Sequence, residues 1–308
     1  MLKRLFLRIG RIKNRETGLT DPVPVAASFN DGDLEEIQED SSADDTSFAV
    51  DYVRQLFLNL DIDRTKHSPA ERQWLRQHKN ELSSENASWI HMVPRLPSVV
   101  PQLMAATRDA EKGSGRELAE LISSDPVLAA SLLKVVNSAA LRCRKESIES
   151  LKQAVVIVGM TGIREAIAAA FMSPIANFKA DSRLDAIAIQ ELWTDSLGVA
   201  VRLRNSAEHS GLAQGFELFL AGLTHSVGLM LLLRRLDLMD EPSISAGFAD
   251  ALEALSRHYS VAVAAGWQLP SGTIALLSAW AEDKETALTH LLTRSIGSVR
   301  RASLEQRA

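Results

Sequence analysis

The stretch Gly222-Leu223-Thr224-His225-Ser226-Val227-Gly228-Leu229 sets a histidine inside an apolar run. A histidine followed directly by aspartate can give one divalent metal two ligands. Such a metal would lower the pKa of its bound water and shield the charge of a phosphate. Here the second position is Ser226, and a hydroxyl is a poor ligand beside a carboxylate. The helical neighbours of His225, Ala221, Gly222, Gly228 and Leu229, are small or apolar, which is equally the setting of a hydrogen-bonded core histidine. His67, His78, His91, His209 and His290 stand in polar contexts and read as solvated. Cys143, between Arg142 and Arg144, has no legible catalytic partner and reads as a plain thiol. There is no glycine-rich phosphate loop and no Ser-His-Asp order. Arg300-Arg301-Ala302-Ser303 resembles a kinase consensus but is too short to carry weight.

These residues belong to a chain of 308, long enough for about two folded units. With 46% hydrophobic and only 5% aromatic residues, the core must come from Leu, Ala, Val and Ile. A single cysteine excludes an intrachain disulfide and a Cys-rich zinc site, and points to a reducing, cytoplasmic setting. The net charge of -5 argues against a phosphate-tracking surface, so no nucleic-acid partner is expected. The longest apolar candidate, residues 218–233, is too short to span a bilayer and contains His225.

The first 48 residues read as separate from the rest. Residues 1–15 carry six basic side chains and no acidic one, with Leu2, Leu5, Phe6, Ile9 and Ile12 at helical spacing. Such a segment suits peripheral contact with an anionic membrane face, or docking on the chain's own acidic surface. The acidic, Pro- and Ser-rich stretch after it is expected to be a disordered linker. A helical lead-in is expected over 49–90, with a helix from Ser68 that packs on the first half of the domain. Ser68-Pro69-Ala70-Glu71 combines a capping serine, a first-turn proline and a capping-box glutamate. Ser114 with Glu117 and Ser150 with Gln153 repeat the signal, and Asp125-Pro126 opens an apolar helix. Residues 154–160 are β-branched enough for a strand, but the Ser150 cap and Gly159 at a C-cap position favour a buried helix. Long helices are expected over 183–208 and 216–236, separated from later ones by loops at Asp240-Pro242-Ser243 and Pro270-Ser271-Gly272. The fold class is all-α.

The stretches at 95–106, 118–139 and 147–166, followed by Leu192-Trp193-Thr194-Asp195, Leu220–Leu233 and Gly266-Trp267-Gln268-Leu269-Pro270, resemble the bacterial HDOD domain over residues 90 to 282. Pro97, Asp125, Pro126, Asn137, Ser138, Gly159, Trp193, Trp267 and Pro270 carry the likeness. The resemblance implies a helical bundle in two packed halves, 91–180 and 181–308, the second a degenerate relative of HD metal phosphohydrolases. Active relatives place a histidine where this chain has Asp195, an aspartate where it has Ser226, and paired histidines in a region that here has none. His258 lies near a third such position at a shorter spacing from Trp267. The resemblance therefore implies that metal and cofactor are absent and that no catalytic residue is retained. Asp195 and His225 are expected to face each other as an ion pair beside Ser226. The role implied is a non-catalytic signal-transduction module that binds an unidentified signalling protein. The alternatives are a receptor for a nucleotide such as a cyclic dinucleotide, lined by Arg202, Arg204 or Arg234-Arg235, and a weak metal-dependent phosphohydrolase with a reduced ligand set.

Overall fold

In this computed structural model the described residues are 52–82, 84, 88–91, 93, 122, 126–141, 146–173, 183–209, 215–236 and 241–305. The basic segment, the acidic linker, Cys143 and the Ser114 cap lie outside them. The described chain is almost wholly helical, as the periodicity predicts, and falls into two compact units: residues up to 93 together with those from 178 on, and residues 94–177.

In the first unit α1 (Pro69–Glu81) starts where its signature predicts. The Ser68 hydroxyl accepts from the Glu71 N–H at 3.1 Å, and the Glu71 carboxylate accepts from the Ser68 N–H at 2.6 Å. The same buried carboxylate also accepts from the N–H and hydroxyl of Ser245, at 2.7 and 2.8 Å. Ser245 in turn caps a second helix by accepting from Phe248 N–H at 3.1 Å. One carboxylate thus joins two helix N-termini, satisfying donors that would otherwise be orphaned in the interior. The two strands, β1 (Leu60–Asp61) and β2 (Ile244–Ser245), form a two-residue parallel pair beside this junction.

The remaining helices of this unit are α4 (Ala186–His209), α5 (Gly215–Thr224), α6 (Val227–Leu233), α7 (Ala246–Gly266), α8 (Ser271–Ala281) and α9 (Ala287–Glu305). Leu203, Leu218, Val261, Leu277 and Leu292 meet in one core. The helix expected over 216–236 is broken at His225-Ser226, so the residues singled out for chemistry form the turn between α5 and α6. A glycine lies on each side of this turn, where two helices come close. A Cβ at Gly222 would lie 2.6 Å from the Cα of Ala200 on α4, and one at Gly228 would strike the carbonyl of Ser256 on α7. Both helices therefore approach their neighbours backbone to backbone.

The expectation that α1 packs on the first half is corrected. Trp74 meets Phe248 of α7 edge-on at 5.4 Å, and Glu81 pairs with Arg235 at 2.6 Å. Glu71, Trp74 and His78 recur at helical spacing and form its inner face. His78 is accordingly fully buried, not solvated as its polar flanks suggest, with its ring stacked on Trp74 at 3.7 Å.

In the second unit α2 (Pro126–Val136) packs on α3 (Leu151–Met172), with Leu132, Val135 and Val136 buried on α2. The Ser150 hydroxyl caps α3 through Gln153 N–H at 3.2 Å. Gly159 does take a positive φ of 67°, but helix resumes beyond it, so it marks a break inside α3 instead of its end. Residues 154–160 are also less buried than their composition suggests, Val156 being 84% exposed. The apolar face lies after the break, at Ile163, Ala166 and Ile167.

Replacing Glu71 with alanine strips partners from the buried N–H groups of Ser68 and Ser245 and uncouples two helix starts. A loss of about 3–5 kcal/mol is expected, read as a lower urea midpoint at unchanged slope.

Candidate functional site

Asp195 sits on the inner face of α4 and is 3% exposed. Its Oδ1 accepts from the Ser303 hydroxyl of α9 at 2.5 Å, and its Oδ2 from the Tyr52 phenol at 3.4 Å. Burial holds its carboxyl above the ordinary carboxylate range, against the opposing pull of Arg300 and of the Ser303 bond.

His225 is buried in the α5–α6 turn. Its Nδ1 lies 2.5 Å from the Gly222 carbonyl, which can only accept, so Nδ1 carries the proton and Nε2 keeps a bare lone pair. Nε2 is buried without a hydrogen-bond partner, and the ring meets Trp280 edge-on at 6.1 Å. Burial, reinforced by Arg300, pushes the pKa down to about 3, so the imidazole is neutral. Ser260 fixes the turn by donating to the His225 carbonyl at 2.7 Å while accepting from Gly228 N–H at 2.9 Å. The hydroxyls of Ser226 and Ser196 are paired. Ser196 spends its proton on the Leu192 carbonyl at 2.7 Å, so Ser226 is the donor within the pair.

His225 and Ser226 line a cavity of about 30 Å³ together with Tyr52, Glu253, Ser256 and Arg300. The Arg300 guanidinium lies over the Tyr52 ring, 3.1 Å from its centroid. Burial likewise raises the pKa of Glu253, opposed by Arg257.

The expected ion pair is corrected. Asp195 is engaged by Ser303 and Tyr52, and His225 by Gly222, and no salt bridge joins them. An imidazole this buried stays neutral and offers no charge to pair. The expected cationic lining is corrected too: Arg235 is spent on Glu81, Arg204 faces Asn205 and Glu208, and the cation at the cavity is Arg300. Residue order hid Tyr52, Arg300 and Ser303. The only signal was the Arg-Arg-Ala-Ser run, whose first and last residues prove to face Asp195 and the cavity. His258 is half-buried on α7 and does not reach the cavity wall.

Among the described residues no three His, Cys, Asp or Glu side chains gather as a metal site would require. Asp195 already receives two hydroxyl protons, and Ser226 faces Ser196. The residues present do not fit the metal that an HD-type centre implies.

The signature residues hold the frame. Asn137 donates to the Leu133 and Ile148 carbonyls at 2.9 Å each and accepts from Ile148 N–H at 2.8 Å, tying the loop after α2 back onto it. Ser138 lies in the same turn, and Pro126 opens α2. Pro97 and Asp125 lie outside the described residues. After Trp267, Gln268 takes a φ of 55°; its N–H and that of Leu269 return to Ala265 and Ala264, and Pro270 leads into α8. Trp193 is half-buried on α4, two residues before Asp195.

The HDOD domain pattern matches residues 93–280, more than half of the chain. The chain belongs to the HDOD domain family. Its fold is similar to that of an HDOD domain protein of unknown function from Geobacter sulfurreducens, 22% identical, with a TM-score of 0.53 over 77% of this chain and 79% of that one. It is also similar to a protein of Shewanella amazonensis SB2B named as a candidate metal-dependent phosphohydrolase, 23% identical, with a TM-score of 0.53 over 78% of this chain and 86% of that one. At these identities the likeness is one of fold. No curated protein matches the chain.

Two buried neutral imidazoles make this HDOD protein acid-sensitive. The pKa of His78 is pushed down to about 4 and that of His225 to about 3, in both cases chiefly by burial, from an ordinary 6.5. The unfolded chain therefore binds the protons more readily. Stability is full above pH 6.5 and falls as pH drops toward 4, on the order of 3 kcal/mol for each histidine. His225→Phe should flatten the fall of Tm with pH in that window. The comparison isolates the imidazole from Asp195 and Glu253, whose raised pKa values act in the opposite sense.

Proposed function

We propose that this HDOD protein is a non-catalytic regulatory module of bacterial signal transduction, cytoplasmic, acting by binding a protein partner. The observation that carries this reading is the filling of the Asp195–His225 centre by the chain itself. Hydroxyls of Tyr52 and Ser303 occupy the carboxylate, Ser226 faces Ser196, and the buried cation lining the cavity is an arginine. Metal-assisted phosphate hydrolysis needs a cation there with open coordination for water. A neutral imidazole and a hydroxyl-bound carboxylate beside a guanidinium supply neither. The receptor alternative gains no support, since the cavity of about 30 Å³ is roughly a tenth of the smallest usual ligand pocket.

The test is metal content of the purified chain by mass spectrometry, with thermal shifts on adding Mn²⁺, Mg²⁺ or Zn²⁺ and hydrolysis assays on cyclic dinucleotides. No stoichiometric metal, no shift and no turnover are expected. A stoichiometric metal that disappears in His225→Ala would overturn the reading in favour of a reduced-ligand hydrolase.

A further inference from the structure

Among the described residues, the side chains that hydrogen-bond Asp195 come from outside residues 93–280, the stretch that matches the HDOD domain. Tyr52 precedes it and Ser303 follows it, and each takes one carboxylate oxygen. Arg300 also follows it, three residues before Ser303 and therefore on the same face of α9. Its side chain is buried, lies against the Tyr52 ring, and lines the cavity with His225, Ser226 and Glu253. Two segments that flank the domain thus converge on one buried carboxylate.

We propose that Tyr52, Arg300 and Ser303 are a lock, supplied in cis by the segments flanking the HDOD domain, which occupies the Asp195 carboxylate and bars divalent cations from the centre. The inference rests on the non-catalytic reading above and says where that property resides. His225 is already in the form a metal accepts: its Nδ1 proton is on a backbone carbonyl and its Nε2 is bare and buried. The carboxylate is what is withheld. Its oxygens are turned toward hydroxyl donors on α9 and on the lead-in segment. An approaching dication would also meet the charge of the buried Arg300, where repulsion is screened less than in bulk water. The lock is local. Tyr52→Phe keeps the ring under Arg300, Ser303→Ala keeps α9, and Arg300→Met keeps the stem while removing the charge.

The experiment compares the full chain with Tyr52→Phe/Ser303→Ala and with the triple variant that adds Arg300→Met, by thermal shift and calorimetric titration with Mn²⁺ and Zn²⁺ alone. The unsubstituted chain should show no saturable response. The double variant should give a measurable affinity, and the triple a rise in Tm of about 4 °C or more at a hundredfold excess over Kd. Adding His225→Ala should abolish both gains. Folded variants that respond no more than the parent would overturn the lock and leave Tyr52 and Ser303 as mere partners of a buried carboxylate. If Arg300→Met does not fold, the double variant decides alone, and no gain there is fatal to the proposal. A parent chain that binds the cation through His225 would sink the non-catalytic reading itself, so the two failures are distinguishable.

Discussion

At Gly222 the backbone of α5 lies against α4, and at Gly228 the backbone of α6 lies against α7. The chain between these contacts has five residues in which to leave one helix and enter the next, and His225 and Ser226 occupy that turn. Protein interiors resist the extra volume of even a methyl group, so a side chain at either glycine would push α5 or α6 away from its neighbour. The rest follows from the closeness. Ser226 can reach Ser196 only because α4 is this near, and Ser260 can bridge the His225 carbonyl to Gly228 N–H only because α7 is. The histidine is thereby fixed in tautomer and orientation by backbone groups, independently of any bound ion.

A buried carboxylate costs free energy unless its oxygens are bonded, and a buried imidazole unless it stays neutral. This centre meets both demands without a counter-ion pair between them. Asp195 takes its donors from Tyr52 and Ser303, while His225 is discharged by burial. Arg300 is the unifying charge. It lowers the pKa of Asp195, of Glu253 and of His225 alike, favouring the ionised form of each acid and the neutral form of the base. That pattern follows from any cation held near all three groups, whether an ion or a guanidinium. Here the cation is part of the chain, and its position depends on how α9 packs along α4.

Much of the architecture was legible in the sequence because the signals were local. Ser68-Pro69-Ala70-Glu71 and Ser150 carry capping chemistry within four residues, and the structure uses both. Gly159 was legible as a positive-φ position, but not that helix would resume after it, since that depends on the packing of Ile163 and Ile167. The burial of His78 is not legible in its sequence neighbours, which are charged or polar. The residues around it in space, Trp74 and Tyr259, belong to a face visible only by taking Glu71, Trp74 and His78 together. The partners of Asp195 and His225 are hidden in the sequence for a related reason. Asp195 and His225 were the most conspicuous polar residues in apolar runs, yet their partners are hydroxyls and carbonyls, which leave no compositional trace.

The division between what the family pattern covers and what it omits has a physical sense. Residues 93–280 contain the glycines, the Asn137 staple and the turn at Trp267–Pro270, all of which set backbone paths. They also contain Asp195 and His225, while the described side chains that hydrogen-bond Asp195, Tyr52 and Ser303, lie outside them. A backbone frame can be shared among chains with different flanks, whereas the state of a carboxylate buried inside it is set by whatever the flanks deliver. The hydrogen bonds and the charge that Asp195 meets here therefore come from a phenol at residue 52 and from one face of the last helix. In this chain the flanking segments bear on the state of that carboxylate as directly as the residues of the family pattern that surround it.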